Sequence, residues 1–318
     1  MEIKTEVNLS HWNEFILLGF SDLPNLQDIL FGIFLVIYIN ILIGNGLIIV
    51  ITKSDTVLQT PMYFFLGNFA FLEICFTSAV LPRLLYSLWT RNKTISLQDC
   101  AVQFFFFLVM AFIETLILAV MAYDRYVAIC KPLYYTLIMN HKMCIQLVIA
   151  SWLSVVPIVI GQTCQVFSLP FCNSNVLNHI YCEMSSLIML TCGDTFWNEV
   201  SLYSDTVLFG FFPFLLILYS YTRIFISIHK LPTEIGRSKA FSTCSSHLIV
   251  MGLFYGSGII AHLQIKTSHI SGIEKYISLF YTSLTPLFNP LIYSLRNKDV
   301  IMAMKKLFFK LKHHEGMR

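Results

Sequence analysis

Long apolar runs alternate with short polar segments along most of the chain, from about residue 28 to about residue 295. Seven of these runs are long enough to cross about 30 Å of hydrocarbon as helices. We number them spans one to seven, and the first carries no charge. Their approximate bounds are Ile29–Ile51, Tyr63–Leu85, Cys100–Val127, Cys144–Phe167, Glu199–Ile228, Lys239–Gln264 and Glu274–Leu295. The pattern predicts an all-α membrane protein built as a seven-transmembrane helix bundle.

Composition supports a membrane protein with one domain. The chain has 318 residues, of which 56% are hydrophobic and 12% are charged, whereas soluble domains carry about 25% charged residues. We expect a tail at residues 1–28, a membrane domain at residues 29–295 and a second tail at residues 296–318. The first tail is polar and lacks a basic region and a small-residue cleavage site, so a cleaved signal peptide is not expected.

The distribution of Lys and Arg predicts the orientation. If the N-terminus is extracellular, most of the 21 basic residues lie on the cytoplasmic side, as in membrane proteins generally. The net charge of +3 therefore reports topology, and without a basic soluble domain nucleic-acid binding has no support. Asn8 and Asn92 begin glycosylation sequons on the outer side, although such tripeptides are also common by chance.

Four of the nine cysteines fall on the predicted outer side, at Cys100, Cys172, Cys182 and Cys192. The oxidising exterior makes them candidates for disulfides, and four cysteines allow three pairings that these residues alone do not decide.

Several charged residues fall inside the predicted spans, where charge is costly and therefore indicates function. Asp124 and Arg125 end span three; an alternative is a static ion pair that anchors the helix. Glu73 and Glu114 lie mid-membrane, where Asn45 and Asn289 could join them in holding a sodium ion or a proton. The alternative for the two acids is a hydrogen-bond network of neutral carboxyl groups, since burial disfavours their charged form.

Two further features concern the C-terminal part of the chain. Pro290 lies in span seven and permits a kink, although prolines are common in membrane helices. After span seven, apolar residues recur every three or four positions among lysines, at Val300, Met304, Leu307, Phe308 and Leu311. This pattern predicts a short amphipathic cytoplasmic helix on anionic lipid; a calmodulin target is a weaker alternative.

Several motifs occur in a fixed order along nearly the whole chain. They are Gly44-Asn45, Pro61-Met62-Tyr63-Phe64-Phe65-Leu66, the stretch Met121–Cys130 (MAYDRYVAIC), Ser220-Tyr221, the stretch Lys239–Leu248 (KAFSTCSSHL), Phe254-Tyr255-Gly256 and the stretch Pro286–Tyr293 (PLFNPLIY). Together they resemble the odorant (olfactory) receptors, a branch of the rhodopsin-like G-protein-coupled receptors. Glu73 departs from that family, which commonly has Asp at this position, and this puts the geometry of an ion site in doubt.

The resemblance implies a receptor in the plasma membrane of a sensory cilium that binds a small volatile odorant and activates a stimulatory, olfactory-type G protein to raise cyclic AMP. It implies disulfides Cys100–Cys182 and Cys172–Cys192. It also implies a G-protein-facing switch formed by Asp124, Arg125, Tyr126, Tyr221, Asn289, Pro290 and Tyr293. No resident cofactor is expected beyond the sodium ion at Glu73 and Glu114.

The resemblance further implies a ligand cavity in the outer half of the bundle. On span three, aromatic and small residues follow helical spacing and could form one face of it, although such a stripe is often core. The predicted lining is Phe104, Phe107, Leu108, Ala111, Phe112, Leu202, Asp205, Thr206, Phe209, Tyr255, Gly258, Ile259, His262, Leu279 and Thr282. Asp205 could pair with His262, or accept a hydrogen bond from a ligand alcohol or amine.

Other functions fit the sequence less well. It contains no zinc-protease, P-loop or nucleophile-elbow motif, so we predict no enzyme. A transporter usually shows repeats and broken helices, and a structural protein would leave Glu73, Glu114 and Arg125 unexplained. The nearest alternative is a rhodopsin-like receptor for an amine or a peptide.

Overall fold

A computed structural model describes residues 13–172, 174–230, 237, 241, 244–257, 273–296 and 298–315, and the structural statements below concern these residues. Spans one to five are complete helices, long and apolar enough to cross a membrane. Span six is helical over residues 244–257. The complete spans comprise Gln27–Ser54, Pro61–Thr90, Leu97–Cys130, His141–Phe167 and, in span five, Phe196–Asp205, Thr206–Phe211 and Phe212–His229.

The helices extend beyond the apolar runs because polar residues cap their ends. Ser96 precedes span three, and its hydroxyl accepts a hydrogen bond from the Asp99 amide at 3.0 Å. Asn140 caps span four in the same way through the Met143 amide at 2.9 Å. Such caps satisfy helix amides that lack a partner within the helix. A hydropathy pattern therefore starts these helices a few residues late.

Spans five and seven are each interrupted by a π-helical segment. In span five it covers Thr206–Phe211. In span seven it covers Phe280–Leu284, between α-helices Ile273–Leu279 and Thr285–Arg296. π-Helical segments are rare in proteins, and those that occur are frequently found at functional sites. Neither segment was predicted from the sequence.

Span three lies at the centre of the bundle, in contact with spans two, four and five. Its residues Ile113, Ile117 and Met121 are fully buried. Span one packs on spans two and seven. It approaches span seven closely at Gly44, where an added Cβ would lie 3.1 Å from the Pro290 Cβ. A small residue at this point allows the two backbones to meet, as in other membrane helix pairs.

A three-stranded sheet covers the end of the bundle near the N-terminus, which we call the N-terminal face. Strand β1 (Glu14–Leu17) lies between β2 (Thr94–Ser96) and β3 (Val176–Leu177). β1 is antiparallel to β2, with Phe15 opposite Ile95, and parallel to β3. The segment before span one is therefore joined to the loop after span two and to the loop after span four.

Short helices occur in several connections within the described ranges. They are the 3-10 helices Pro24–Leu26, Thr56–Leu58 and Pro132–Tyr134, and the α-helices Tyr135–Ile138 and Met184–Ile188. The end of the bundle that carries Pro132–Tyr134 and the tail helix is called the opposite face.

The tail forms a helix, Lys298–Glu315, as the amphipathic pattern predicts. Its apolar face does not simply rest on lipid, however. Val300 is fully buried in the bundle core, and Met304 and Leu307 pack against the same core. Lys306 pairs with Asp55 at 3.3 Å. The expectation that this face lies on lipid is therefore wrong for its first half, because the bundle offers it an apolar surface.

Candidate functional site

Buried carboxyl groups of spans two and three occupy the middle of the bundle. Glu73 and Glu114 are each 1% exposed, and they are close enough to interact electrostatically. The Asn289 amide of span seven donates a hydrogen bond to Glu73 Oε1. Glu73 Oε2, Glu114 Oε1 and Asn289 Oδ1 have no hydrogen-bond partner within the described part of the chain. These oxygen atoms suit a hard cation, which prefers oxygen ligands, and equally a shared proton.

Asn45 has a different role from the one expected, because its amide does not contact the carboxyl groups. It donates to the Pro286 carbonyl at 3.3 Å and to the Ile41 carbonyl at 3.1 Å. Pro290 has no amide hydrogen, so the carbonyl four residues earlier, that of Pro286, loses its helical partner. Asn45 supplies the missing donor and thereby ties span one to span seven at the proline. Among described residues, no group of three or more His, Cys, Asp or Glu side chains could hold a metal ion.

The Asp124–Arg125 pair is closed at the opposite face. Arg125 Nε donates to Asp124 Oδ2 at 3.0 Å, and the Asp124 side chain is fully buried. The Tyr135 hydroxyl donates to the other oxygen, Oδ1, at 2.9 Å. Burial and the neighbouring carboxylate raise the pKa of Tyr135, so its phenol stays protonated and remains a donor. Both carboxylate oxygens are therefore occupied, and the short helix after span three is fastened to that span.

Other residues predicted for this switch take different positions. Tyr221 is buried, and its hydroxyl has no hydrogen-bond partner among the residues described. Tyr126 faces span five, where its ring lies 6.2 Å from that of Tyr219. The side chain of Tyr293 lies outside the described residues. The arrangement shown thus joins Arg125 to Asp124 and leaves the Tyr221 hydroxyl available.

The described predicted ligand residues lie in or against the apolar clusters of the bundle. Phe112 stacks on Phe209 with ring centroids 4.9 Å apart, which joins spans three and five. Phe104 is fully buried against Phe167, in the cluster that also contacts Leu108 and Leu202. Ala111 and Tyr255 pack against the central cluster. Gly258, Ile259 and His262 lie outside the described residues, as does Asn8.

Phe107 contacts two aromatic residues, Tyr181 and Phe76, that were not predicted for the ligand site. Its ring lies 4.6 Å from that of Tyr181 and 5.1 Å from that of Phe76. Tyr181 is carried there by the next residue, Cys182, which is bonded to Cys100 at the start of span three. The Cys182 amide also donates to Gln103 Oε1 at 3.0 Å. The adjacent cysteine was the signal that could have placed Tyr181 over span three.

The second disulfide joins Cys172 to Cys192. Both pairs match those that the resemblance implied. Asn92 is exposed in the loop that precedes β2, where its side-chain oxygen accepts a hydrogen bond from the Thr94 amide at 3.0 Å.

Two of the predicted ligand residues each carry a buried oxygen atom with no hydrogen-bond partner among the residues described. Asp205 is 5% exposed and directly precedes the π-helical segment of span five, and its Oδ2 has no hydrogen-bond partner in the described residues. The same holds for the Tyr255 hydroxyl, whose ring lies 5.0 Å from that of Phe214. The hydroxyls of Thr206 and Thr282 are satisfied by the carbonyls of Leu202 and Ser278. Buried polar groups are normally paired, so Asp205 and Tyr255 are the strongest candidates for polar contact with a ligand.

Comparison with known proteins decides the family. The family model described as olfactory receptor matches residues 34–311. This chain belongs to the olfactory receptor family. It is 55% identical to olfactory receptor 10AG1 of Homo sapiens over 94% of the chain and 99% of that protein. It is 44% identical to olfactory receptor 7A40 of Mus musculus over 96% of the chain and 98% of that protein.

The fold agrees with that assignment. The receptor superposes on the crystal structure of squid rhodopsin with a TM-score of 0.71 at 19% identity, over 88% of this chain and 85% of the other. The predicted seven-helix fold and the predicted family are therefore confirmed. The receptor is a multi-pass membrane protein and not an enzyme. Its membership of the family implies a small-molecule ligand and a G-protein partner.

Proposed function

We propose that the receptor binds a small, mostly apolar volatile molecule near its N-terminal face and activates a stimulatory, olfactory-type G protein, which raises cyclic AMP. The observation that supports this most is the buried Asp205 Oδ2 atom, which has no hydrogen-bond partner in the described part of the chain. It lies beside a π-helical segment that places Phe209 on Phe112. An apolar wall with one convergent polar group is typical of small-molecule sites.

The proposed ligand carries a hydrogen-bond donor, as in an alcohol or an amine. Asp205 accepts from it, and the Tyr255 hydroxyl provides a second polar contact. The ligand acts only through a difference in its affinity for two receptor states. Its contacts favour the state in which spans five, six and seven move apart at the opposite face.

The proposed orientation places the N-terminal face outside the cell. The basic residues concentrate on the opposite side, and cytoplasmic loops carry such an excess. Two disulfides at the N-terminal face suit the oxidising exterior. The domain boundaries follow, with an extracellular tail to residue 28 and a cytoplasmic tail from residue 296. We place the receptor in the plasma membrane of a sensory cilium.

The G protein is proposed to bind at the opposite face, beside the Asp124–Arg125 pair. The connection after span three exposes Leu133, Tyr134 and Leu137, with Leu133 92% exposed. Apolar side chains exposed next to a buried switch suit a protein partner. Release of Arg125 from Asp124 would make its guanidinium available to backbone carbonyls of that partner.

The Glu73–Glu114 site is proposed to hold one positive charge, supplied by a sodium ion or by a proton. Asn289 joins the site from span seven through its hydrogen bond to Glu73. A charge held there would couple span seven to spans two and three in the resting receptor.

The test measures cyclic AMP in transfected cells against alcohols, aldehydes, acids, esters and amines, with surface expression measured for each variant. Wild type and Asp205→Asn are compared with Asp194→Asn, which makes the same change at an exposed position. We expect wild type and Asp194→Asn to respond alike and Asp205→Asn to lose potency about tenfold or more, as expected for a hydrogen bond to a charged group. An unchanged response in Asp205→Asn would exclude that residue from the ligand site.

A further inference from the structure

The segment between β1 and span one is built into the N-terminal face. Gly19 turns the chain with a φ of +50°, which favours glycine, and its amide donates to the His179 carbonyl at 3.1 Å. Phe20 is then buried, stacked on Phe34 of span one at 5.8 Å. We call residues 14–23 the N-terminal strap.

The strap is fastened to span seven by a buried lysine. Lys275 has a side chain that is 5% exposed. Its ammonium donates to Asp22 Oδ1 at 2.7 Å and to the Gly19 carbonyl at 3.1 Å. The Tyr276 hydroxyl donates to Asp22 Oδ2 at 3.1 Å. A buried ammonium is costly without a counter-charge, and both of these acceptors of Lys275 belong to the strap.

The strap touches the same apolar cluster as the proposed ligand site. Phe20 and Tyr181 are buried in one cluster, against which Phe107 and Leu279 pack. Leu279 lies one helical turn after Lys275, on the same face of span seven. The strap and two residues of the proposed ligand site therefore pack in the same apolar cluster.

We propose that the Asp22–Lys275 ion pair is a lock that holds the N-terminal strap as a lid over the ligand site, so that a ligand enters and leaves when the lock opens. The position of the ligand rests on the proposed function, whereas the lock itself does not. Opening withdraws Phe20 from the apolar cluster against which Phe107 and Leu279 pack. The exposed side of Asp22, which is 51% exposed, gives water access to the pair and allows it to open without unfolding the bundle.

A second ion pair near the same face serves as the control. Arg91 and Asp28 lie 3.9 Å apart with side chains 67% and 86% exposed. Such pairs contribute little. Asp28→Asn therefore repeats the chemical change of Asp22→Asn, close to it in sequence, without touching the lock.

Hydrogen–deuterium exchange of the purified full-length receptor in lipid nanodiscs tests the lock without a ligand. We expect backbone amides of β1 to exchange at least about tenfold faster in Asp22→Asn than in wild type. Asp28→Asn and the charge-conserving Asp22→Glu are expected to resemble wild type. The double variant Asp22→Asn/Lys275→Met should exchange more slowly than Asp22→Asn, because no buried charge is left unpaired. Equal exchange in Asp22→Asn and wild type would overturn the lock.

Access to the site is measured separately, with Leu279→Cys and a small charged methanethiosulfonate reagent. Labelling of the receptor without this substitution is subtracted as background. We expect labelling of Leu279→Cys to be about tenfold faster when Asp22→Asn is added, and unchanged when Asp28→Asn is added. Unchanged labelling in the Asp22→Asn background would overturn the lid. Faster labelling in a receptor that answers no odorant would leave the lid standing and contradict the proposed function instead.

Discussion

Replacing Asp124 by Asn is expected to raise signalling in the absence of ligand. The carboxylate accepts hydrogen bonds from Arg125 at 2.5 Å and 3.0 Å, and it also accepts one from the Tyr135 hydroxyl. Asparagine has nearly the same shape but no charge. It therefore removes the ion pair while leaving the packing of span three largely intact.

The size of the effect follows from the hydrogen bonds that the substitution weakens. Hydrogen bonds to charged groups contribute about 1.5–3 kcal/mol, and about 1.4 kcal/mol corresponds to a factor of ten in an equilibrium. Arg125 is 14% exposed, so water compensates part of this free energy. We therefore expect the equilibrium to shift about tenfold towards the active state. A resting receptor that is active about 1% of the time would become active about 10% of the time.

The assay is basal cyclic AMP at matched surface expression. Tyr135→Phe removes only the hydroxyl that holds Asp124 Oδ1, so its increase should be smaller, about threefold, as expected when one hydrogen bond is removed. Tyr86→Phe is the matched control, because Tyr86 is 49% exposed near the N-terminal face, far from Asp124 and from the proposed G-protein surface, and it should not change the signal. If Asp124→Asn signals at the wild-type level, the ion pair does not restrain the receptor.

Three further predictions concern other parts of the molecule. If sodium occupies the Glu73–Glu114 site, raising sodium should lower basal activity in wild type and not in Glu114→Gln; a shared proton predicts no sodium effect in either. Replacing Cys172 and Cys192 by serine should reduce surface expression, measured by antibody to an N-terminal tag, because the pair closes the loop around Leu190, which packs in the same apolar cluster as Phe15 and Phe104. The hydrogen bond from Lys275 lowers the pKa of Asp22 in the folded receptor. The stability that the Asp22–Lys275 pair contributes is therefore fully present above about pH 3.9, the pKa of Asp in an unfolded chain, and is lost as pH falls through the lower pKa of the folded state. Exchange protection of β1 should therefore be the same at pH 7.4 and pH 5.5, after correction for the intrinsic pH dependence of exchange, and a loss by pH 5.5 would contradict the pairing.

Hydropathy and motif order were sufficient to predict the spans and the family. Membrane helices must satisfy their own backbone hydrogen bonds, so a long apolar run leaves few alternatives to a helix. The Asp124–Arg125 pair was predictable for a similar reason, since adjacent opposite charges at the end of such a run need each other. The position of Glu73, Glu114 and Asn289 within their spans indicated a shared site, but the hydrogen bond from Asn289 to Glu73 depends on the packing of spans two and seven.

The N-terminal face could not be predicted in this way. Its strands have four, three and two residues, too short to show alternation, and they pair across distant segments of the chain. The π-helical segments also leave no hydrophobic signature. Tyr135 was missed because its role depends on how the loop after span three folds back on Asp124. Lys275 appeared to be an ordinary charge near a helix end until the strap supplied its acceptors.

The most direct test of the account measures odorant-dependent cyclic AMP in cells that lack the stimulatory G-protein α subunit, with and without its restoration. Wild type is compared with Arg125→Ala at equal surface expression, using the most active compound of the odorant panel. The account predicts a response in wild type only after the α subunit is restored, and none in Arg125→Ala under either condition. A wild-type response without the α subunit, or a full response from Arg125→Ala, would contradict the proposed coupling through the inner end of span three.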